Sequence, residues 1–222
     1  MKIDEIRKIM LGHSTYNFEI VIITPLKSTY KILKERLKIE EIYESVFFEN
    51  FVFKISENDE KGLMILSPQG IASKDIIELF DNTNIIFFGL AGSLNNGFEI
   101  GKFVEVKTAL NEEKDEVDLY TTGFLENVKC GYSPCLLGNL AKKYCDYAKN
   151  MNCDVVDMET AYCAKTAIER NNRFTSLLLI SDIPDVISFW EIPDETKKKL
   201  KESRIIAVDK IISYINIFAR KE

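Results

Sequence analysis

Residues 18–24 read FEIVIIT. The run is nearly continuous in apolar, β-branched residues and does not alternate with polar ones, which is the pattern of a strand covered on both faces of a sheet. It is the expected first central strand. Past Pro25 the period changes: Tyr30, Leu33 and Leu37 recur at helical spacing among Lys31, Lys34, Glu35, Arg36 and Lys38, an amphipathic helix with a solvated face. A buried strand feeding such a helix is the opening of an α/β fold.

Working outward, residues 46–55 (VFFENFVFKI) and 62–66 (GLMIL) read as paired strands around the turn-prone ENDEKG. Ile71 to Phe80 returns to helical spacing. Asn84 to Phe88, NIIFF, is again a buried strand, ended by a glycine-bearing turn, GLAGSLNNG. Gly101 to Val106 reads as a strand, Leu136 to Ala148 and Met158 to Glu169 as helices, Thr175 to Ile180 as a core strand, and Glu195 to Phe218 as a terminal helix with one break. The acidic stretch Asn111 to Asp118 reads as a solvated loop. With no internal repeat or Pro/Gly/Ser linker, the expectation is a single α/β domain over 1–222: a central mixed twisted sheet flanked by helices on both sides.

The chain has 222 residues and is 46% hydrophobic, enough to bury a core without disulfides or metal. Its net charge is −6, with Lys and Arg interleaved among Asp and Glu along the sequence, which argues against nucleic acid as a partner. Residues 1–17 lack the apolar core of a signal peptide, and no later run spans a bilayer, so a cytoplasmic, membrane-free protein is expected. The five cysteines, Cys130, Cys135, Cys145, Cys153 and Cys163, contain no CxxC pair and fit reduced thiols. With His13 the single histidine, neither a zinc site nor a Ser-His-Asp triad is a natural reading.

Three segments carry candidate chemistry. Val155–Ala161 reads VVDMETA, a short strand running into a helix, which places Met158 and Glu159 at a strand's carboxyl end, where open α/β sheets bind ligands. A structural reading stands beside it: Asp157 caps the helix and Glu159 favours its positive end. Ser176–Asp182 reads SLLLISD and puts Ser181 and Asp182 where another core strand leaves the sheet, although Ser-Asp before Ile183-Pro184-Asp185 is also ordinary turn chemistry. Gly89–Leu94, GLAGSL, can bring backbone N–H groups close to an anion or a sugar. It is neither a Walker loop nor a dinucleotide fingerprint.

In this order the pieces resemble the nucleoside phosphorylase and nucleosidase family, which includes purine nucleoside phosphorylase, uridine phosphorylase and methylthioadenosine/S-adenosylhomocysteine nucleosidase. The resemblance rests on the opening strand with Pro25-Leu26-Lys27, the Gly70-Ile71 turn, IIFFGLAGSL with Gly101 downstream, VDMETA and LISD. It implies that Glu159 hydrogen-bonds the ribose hydroxyls, that Met158 packs on the sugar, and that Asp182, oriented by Ser181, protonates or hydrogen-bonds the departing base. Gly92 and Leu90 of the glycine segment complete the implied substrate-binding set. A carboxylate on the ribose favours an oxocarbenium-like transition state, and a desolvated carboxyl holds the proton a leaving base needs.

The departures concern the nucleophile. Hydrolytic members carry a glutamate early in the first helix, where this chain has Thr29. Phosphorolytic members use an arginine after the Pro-Leu step, another in the strand before the glycine turn and a serine in that turn; here those places hold Lys27, Phe87 or Phe88, and Leu90. Lys27 can contact phosphate only as a point charge. Gly101 is followed by Lys102 where relatives often have aspartate. His13 stands closer to the first strand than the histidine that, in some relatives, reaches a neighbour's site. Tyr132, Cys135 and Leu136 fall near the implied base pocket, and Phe189 and Trp190 either close over a ligand or anchor the last helix; core packing accounts for the first three equally well. The expected function is cleavage of the N-glycosidic bond of a purine-type nucleoside by water or phosphate. The alternative is a nucleoside-binding or storage protein with little turnover. No metal or organic cofactor is called for, phosphate being a possible co-substrate. The family resemblance implies a homo-oligomer, a dimer or hexamer.

Overall fold

A computed structural model describes residues 2–12, 18–43, 45–55, 60–94, 97–135, 138–184 and 191–219. In chain order the elements are α1 (Ile3–Leu11), β1 (Ile20–Thr24), α2 (Lys27–Arg36), β2 (Lys38–Tyr43), β3 (Asn50–Lys54), β4 (Lys61–Leu66) and a 3-10 turn (Gly70–Ser73) that runs into α3 (Lys74–Ile77). There follow β5 (Asn84–Ser93), β6 (Phe103–Leu110), β7 (Glu116–Asp118), β8 (Asn127–Tyr132), α4 (Gly138–Asn150), β9 (Val155–Asp157), α5 (Thr160–Glu169), β10 (Arg173–Asp182) and α6 (Asp194–Ala219). The expected α/β architecture is the one found. FEIVIIT supplies β1, buried at every position because β4 and β5 run parallel to it on its two edges and helices cover both faces.

All ten strands join one mixed sheet in the order β10-β6-β8-β9-β5-β1-β4-β3-β2, with β7 paired to β6. An additional pairing of β10 with β5 closes β5, β10, β6, β8 and β9 into a ring, and β1 to β4 extend from it as an open wing. Two apolar layers sandwich the sheet. One packs Ile76 and Ile77 of α3 and Ala161, Cys163, Ala164 and Ala167 of α5 against Ile85, Phe87 and Ala91. The other packs Tyr30 and Leu33 of α2 and Ala207, Val208 and Ile211 of α6 against Ile86, Phe88 and Leu177. Alternate residues of β5 thus serve opposite layers, as the period of a strand requires. Among the described residues, no helix is long and apolar enough to cross a membrane.

Several elements differ from the sequence expectation. GLAGSL is not a turn: β5 continues through Gly89 to Ser93, because close packing, and not a left-handed backbone, selects glycine there. A Cβ on Gly89 would lie 2.8 Å from the Phe87 ring. The 71–80 segment is a 3-10 turn and a short α3. The terminal helix is continuous from Asp194 to Ala219. β2, β7 and β8 were not anticipated, and the acidic stretch ends in β7, paired antiparallel to β6.

Candidate functional site

The strand β5 organises the site. β10 lies along one of its edges from Asn84 to Gly92. The opposite edge is shared: β1 pairs parallel with residues 84–87, and β9 pairs antiparallel with Gly92 and Ser93. Because β1 and β9 run in opposite directions, both carboxyl ends point at the stretch between them, Phe88 to Ala91, which has no strand partner on that edge among the described residues. Diverging strands leave a crevice of the kind in which open sheets bind ligands. The carbonyl oxygen of Phe88, orphaned there, accepts the Thr24 hydroxyl at 2.7 Å.

Gly92 ties the two carboxylate segments together, being paired to Val156 of β9 on one edge and to Asp182 of β10 on the other. With neighbouring strands about 4.8 Å apart, the chains carrying Met158-Glu159 and Ser181-Asp182 leave the sheet about 10 Å from each other. They follow the ends of strands that run antiparallel, so register through β5 brings them together, and not a shared sheet edge.

Glu159, only 5% exposed, turns its carboxylate away from its own helix. Oε1 accepts the Gly70 N–H at 2.7 Å and Oε2 accepts the Met158 N–H at 3.2 Å. The first bond spans 89 residues and fastens the loop after β4 to the entrance of α5. Gly70 adopts φ +74°, a left-handed backbone that glycine permits, and a Cβ there would stand 3.6 Å from the Met158 methyl. Burial, then the neighbouring Asp157, pushes the Glu159 carboxyl above the ordinary range.

Capping falls to Asp157. Its carboxylate accepts the Thr160 N–H at 3.0 Å together with the Thr160 hydroxyl, and the Cys130 thiol donates to it at 3.4 Å. The Thr160 hydroxyl also meets Ser176 Oγ at 2.9 Å, so a buried polar chain links β8, β9, α5 and β10 behind Glu159. Burial raises the Asp157 pKa, and the hydrogen bonds from Thr160 pull it back. Of the residues in VDMETA, Asp157 bonds the first turn of α5, as the structural reading expects, whereas Glu159 reaches across to Gly70.

Asp182 ends β10 beyond a bulge and is 8% exposed. The Ser181 hydroxyl donates to its Oδ1 at 2.6 Å and lies 3.2 Å from the Ala91 carbonyl oxygen, which anchors the pair to β5. Burial pushes the Asp182 carboxyl up, and the Ser181 hydrogen bond opposes this. Gly92 lies directly beneath: a Cβ there would stand 2.8 Å from Pro184 Cγ and 3.4 Å from Asp182 Oδ2. Its role is to let the exit of β10 lie flat on β5.

Leu90 is half-buried against the layer of α2 and α6. Lys27 is exposed at the start of α2 and pairs with Glu49 at 3.4 Å. Thr29 is fully buried, and its hydroxyl has no hydrogen-bond partner among the described residues. Tyr132 faces Asp157 across the β8–β9 pair and packs edge-on against Tyr162 with ring centroids 4.8 Å apart. Cys135 is half-buried. His13, Leu136, Phe189 and Trp190 lie outside the described residues. Sequence reading missed Gly70 as the donor to Glu159, and it missed the support from Thr160 and Ser176. The last two were visible as hydroxyl residues interrupting apolar runs.

No protein-family model matches the chain, and no curated protein does. Solved structures do match it. The 5′-methylthioadenosine/S-adenosyl homocysteine nucleosidase of Campylobacter jejuni superposes with a TM-score of 0.75 over 90% of this chain and 99% of its own, at 15% identity. The futalosine hydrolase of Helicobacter pylori gives 0.71 over 91% and 99%, at 12% identity. The uridine phosphorylase of Vibrio fischeri gives 0.72 over 91% and 92%, at 13% identity. At such identities the likeness establishes the fold: the chain has the nucleoside phosphorylase-like α/β fold.

Proposed function

We propose that the chain cleaves the N-glycosidic bond of a purine-type nucleoside, such as adenosine, inosine, methylthioadenosine or an S-adenosylhomocysteine-like compound, and releases the free base. The observation that carries this reading is the placement of two buried carboxyls, Glu159 just past β9 and Asp182 at the end of β10, two strands that flank the same residue, Gly92. The likeness to nucleosidases and a phosphorylase supports it.

Each Glu159 oxygen already accepts one main-chain N–H and keeps a lone pair for a ribose hydroxyl. Hydroxyls donated to it favour its charged form, and in a site shielded from water that charge stabilises the positive sugar of the transition state. Met158, next to Gly70, supplies an apolar surface for the sugar ring. Asp182, its pKa raised by burial, carries the proton the base needs on leaving, and Ser181 fixes the carboxyl's direction. Lys27, exposed and shared with Glu49, supports water over phosphate as the nucleophile.

A second reading, a nucleoside-binding protein with little turnover, is favoured by Thr29, a buried residue that the family resemblance aligns with the glutamate of hydrolytic members. Chromatography of nucleoside mixtures incubated with the protein, with and without phosphate, separates the possibilities. Base release without phosphate supports hydrolysis, and release only with phosphate supports phosphorolysis. Binding with no release from any nucleoside would replace the enzyme reading by the second one.

A further inference from the structure

Although basic and acidic residues alternate along the sequence, folding gathers cations at one place. A groove of about 680 Å³ runs between α2 and α6, and neither Glu159 nor Asp182 lines it. Ile32, Ile192 and Leu200 give it an apolar floor, and Lys31, Lys201 and Arg204 enter it from the two helices. No carboxylate lines it among the described residues. A fourth cation, Lys197, is already paired with Asp194 at 3.0 Å.

Arg204 is the informative group. Its guanidinium reaches across the seam and donates to Ser28 Oγ at 2.7 Å, a neutral acceptor, while its buried Nε has no partner among the described residues. Burial lowers its pKa, the sign of a charge removed from water without a counter-charge. The same seam carries an ordinary ion pair between Arg36 of α2 and Asp209 of α6, so carboxylates are available to these helices, and among the described residues none pairs with Arg204. Across the groove Lys31 and Lys201 add like charge, which costs free energy while the groove is empty and is relieved when an anion enters. The volume matches a small organic molecule. A guanidinium with free donors matches the planar fork of a carboxylate or the oxygens of a phosphate or sulfonate.

We infer that the groove between α2 and α6 is a second ligand site, distinct from the nucleoside site, which takes a small organic anion: an apolar body seated on Ile32, Ile192 and Leu200 with its acidic group on Arg204. Anilinonaphthalene sulfonate, an aromatic body bearing one anionic group, is the probe, and phenylnaphthylamine, the same body without the charge, is its neutral control. Fluorescence titration of the intact protein is expected to show the sulfonate binding at least about tenfold more tightly than the neutral compound, as a charge-assisted hydrogen bond implies. Arg204→Met is expected to remove that preference and leave the neutral compound's binding unchanged. The double variant Lys31→Gln, Lys201→Gln, at exposed positions, is expected to reduce it as well. Saturating adenosine is expected to leave the bound sulfonate in place.

Equal binding of the charged and neutral compounds, a preference that survives in both variants, or displacement by adenosine would overturn the assignment. So would sedimentation of the wild type as an oligomer that Arg204→Met dissociates, since that would give the groove to a second copy of the chain.

Discussion

Substituting Gly92 by alanine tests the link between the sheet and the candidate site. The new methyl would stand 2.8 Å from Pro184 Cγ and 3.1 Å from its Cδ, where carbon atoms rest at about 3.5–4.0 Å. Pro184 is a ring on the main chain and cannot swing aside, so the exit of β10 must lift by about 0.7–1 Å, carrying Asp182 with it. Overpacking of this kind costs about 1–3 kcal/mol, and replacing a strand glycine by alanine returns about 0.4–1 kcal/mol from the unfolded chain, so a net loss of about 0.5–2 kcal/mol is expected in urea denaturation. A shift of about 1 Å in a reacting group lowers turnover about a hundredfold. Base release measured on the folded variant should fall by that order while nucleoside binding through Glu159 changes little. Gly123→Ala is the control: its φ of +75° makes alanine strained, but nothing lies within 4 Å, so it should lose stability without losing turnover. A Gly92→Ala protein as stable and as active as the wild type would refute the view that Gly92 seats Asp182.

Three further outcomes follow from the same geometry. Gly70→Ala meets no crowding but forces a side chain into φ +74°, which should cost about 1 kcal/mol by denaturation and weaken nucleoside binding as the N–H held by Glu159 shifts. Thr160→Val removes the hydroxyl shared by Asp157 and Ser176 and leaves buried polar atoms unsatisfied; a loss of about 1–3 kcal/mol is expected, and a stability equal to the wild type would show that the network is slack. For Glu159 the folded-state pKa is raised, so above its ordinary value of 4.5 the folded protein holds a proton the unfolded chain has released, and stability falls as pH rises from there toward the raised pKa. Denaturation across that range should show a slope in the wild type that Glu159→Gln reduces, the raised Asp157 and Asp182 contributing the rest; parallel curves would mean that the Glu159 carboxyl is not perturbed by burial.

The legibility of the chain tracks burial. β1, the first half of β5 and β10 were readable because strands covered on both faces must be apolar throughout. β2 was hidden because an edge strand reading KIEEIY faces solvent at most positions and follows directly on α2. β7 is charged and short for the same reason. The extension of β5 was misread because glycine signals both turns and close approach, and only the neighbours of Gly89 and Gly92 decide between them. Glu159 and Asp182 stood out as carboxylates following core strands, but their proximity depends on a register set by β5, and the grip of Glu159 on Gly70 bridges 89 residues. The cationic groove was invisible because Ser28 and Arg204 are 176 residues apart.

The central claim is that Glu159 and Asp182 hold the two halves of one nucleoside. Its most direct test is steady-state base release, with nucleoside binding measured by calorimetry, on the wild type, Glu159→Gln and Asp182→Asn. The account predicts that Asp182→Asn binds nucleoside nearly as well as the wild type but loses turnover about a hundredfold or more, whereas Glu159→Gln loses binding and turnover together. Full turnover in Asp182→Asn, or unchanged binding and turnover in Glu159→Gln, would contradict it.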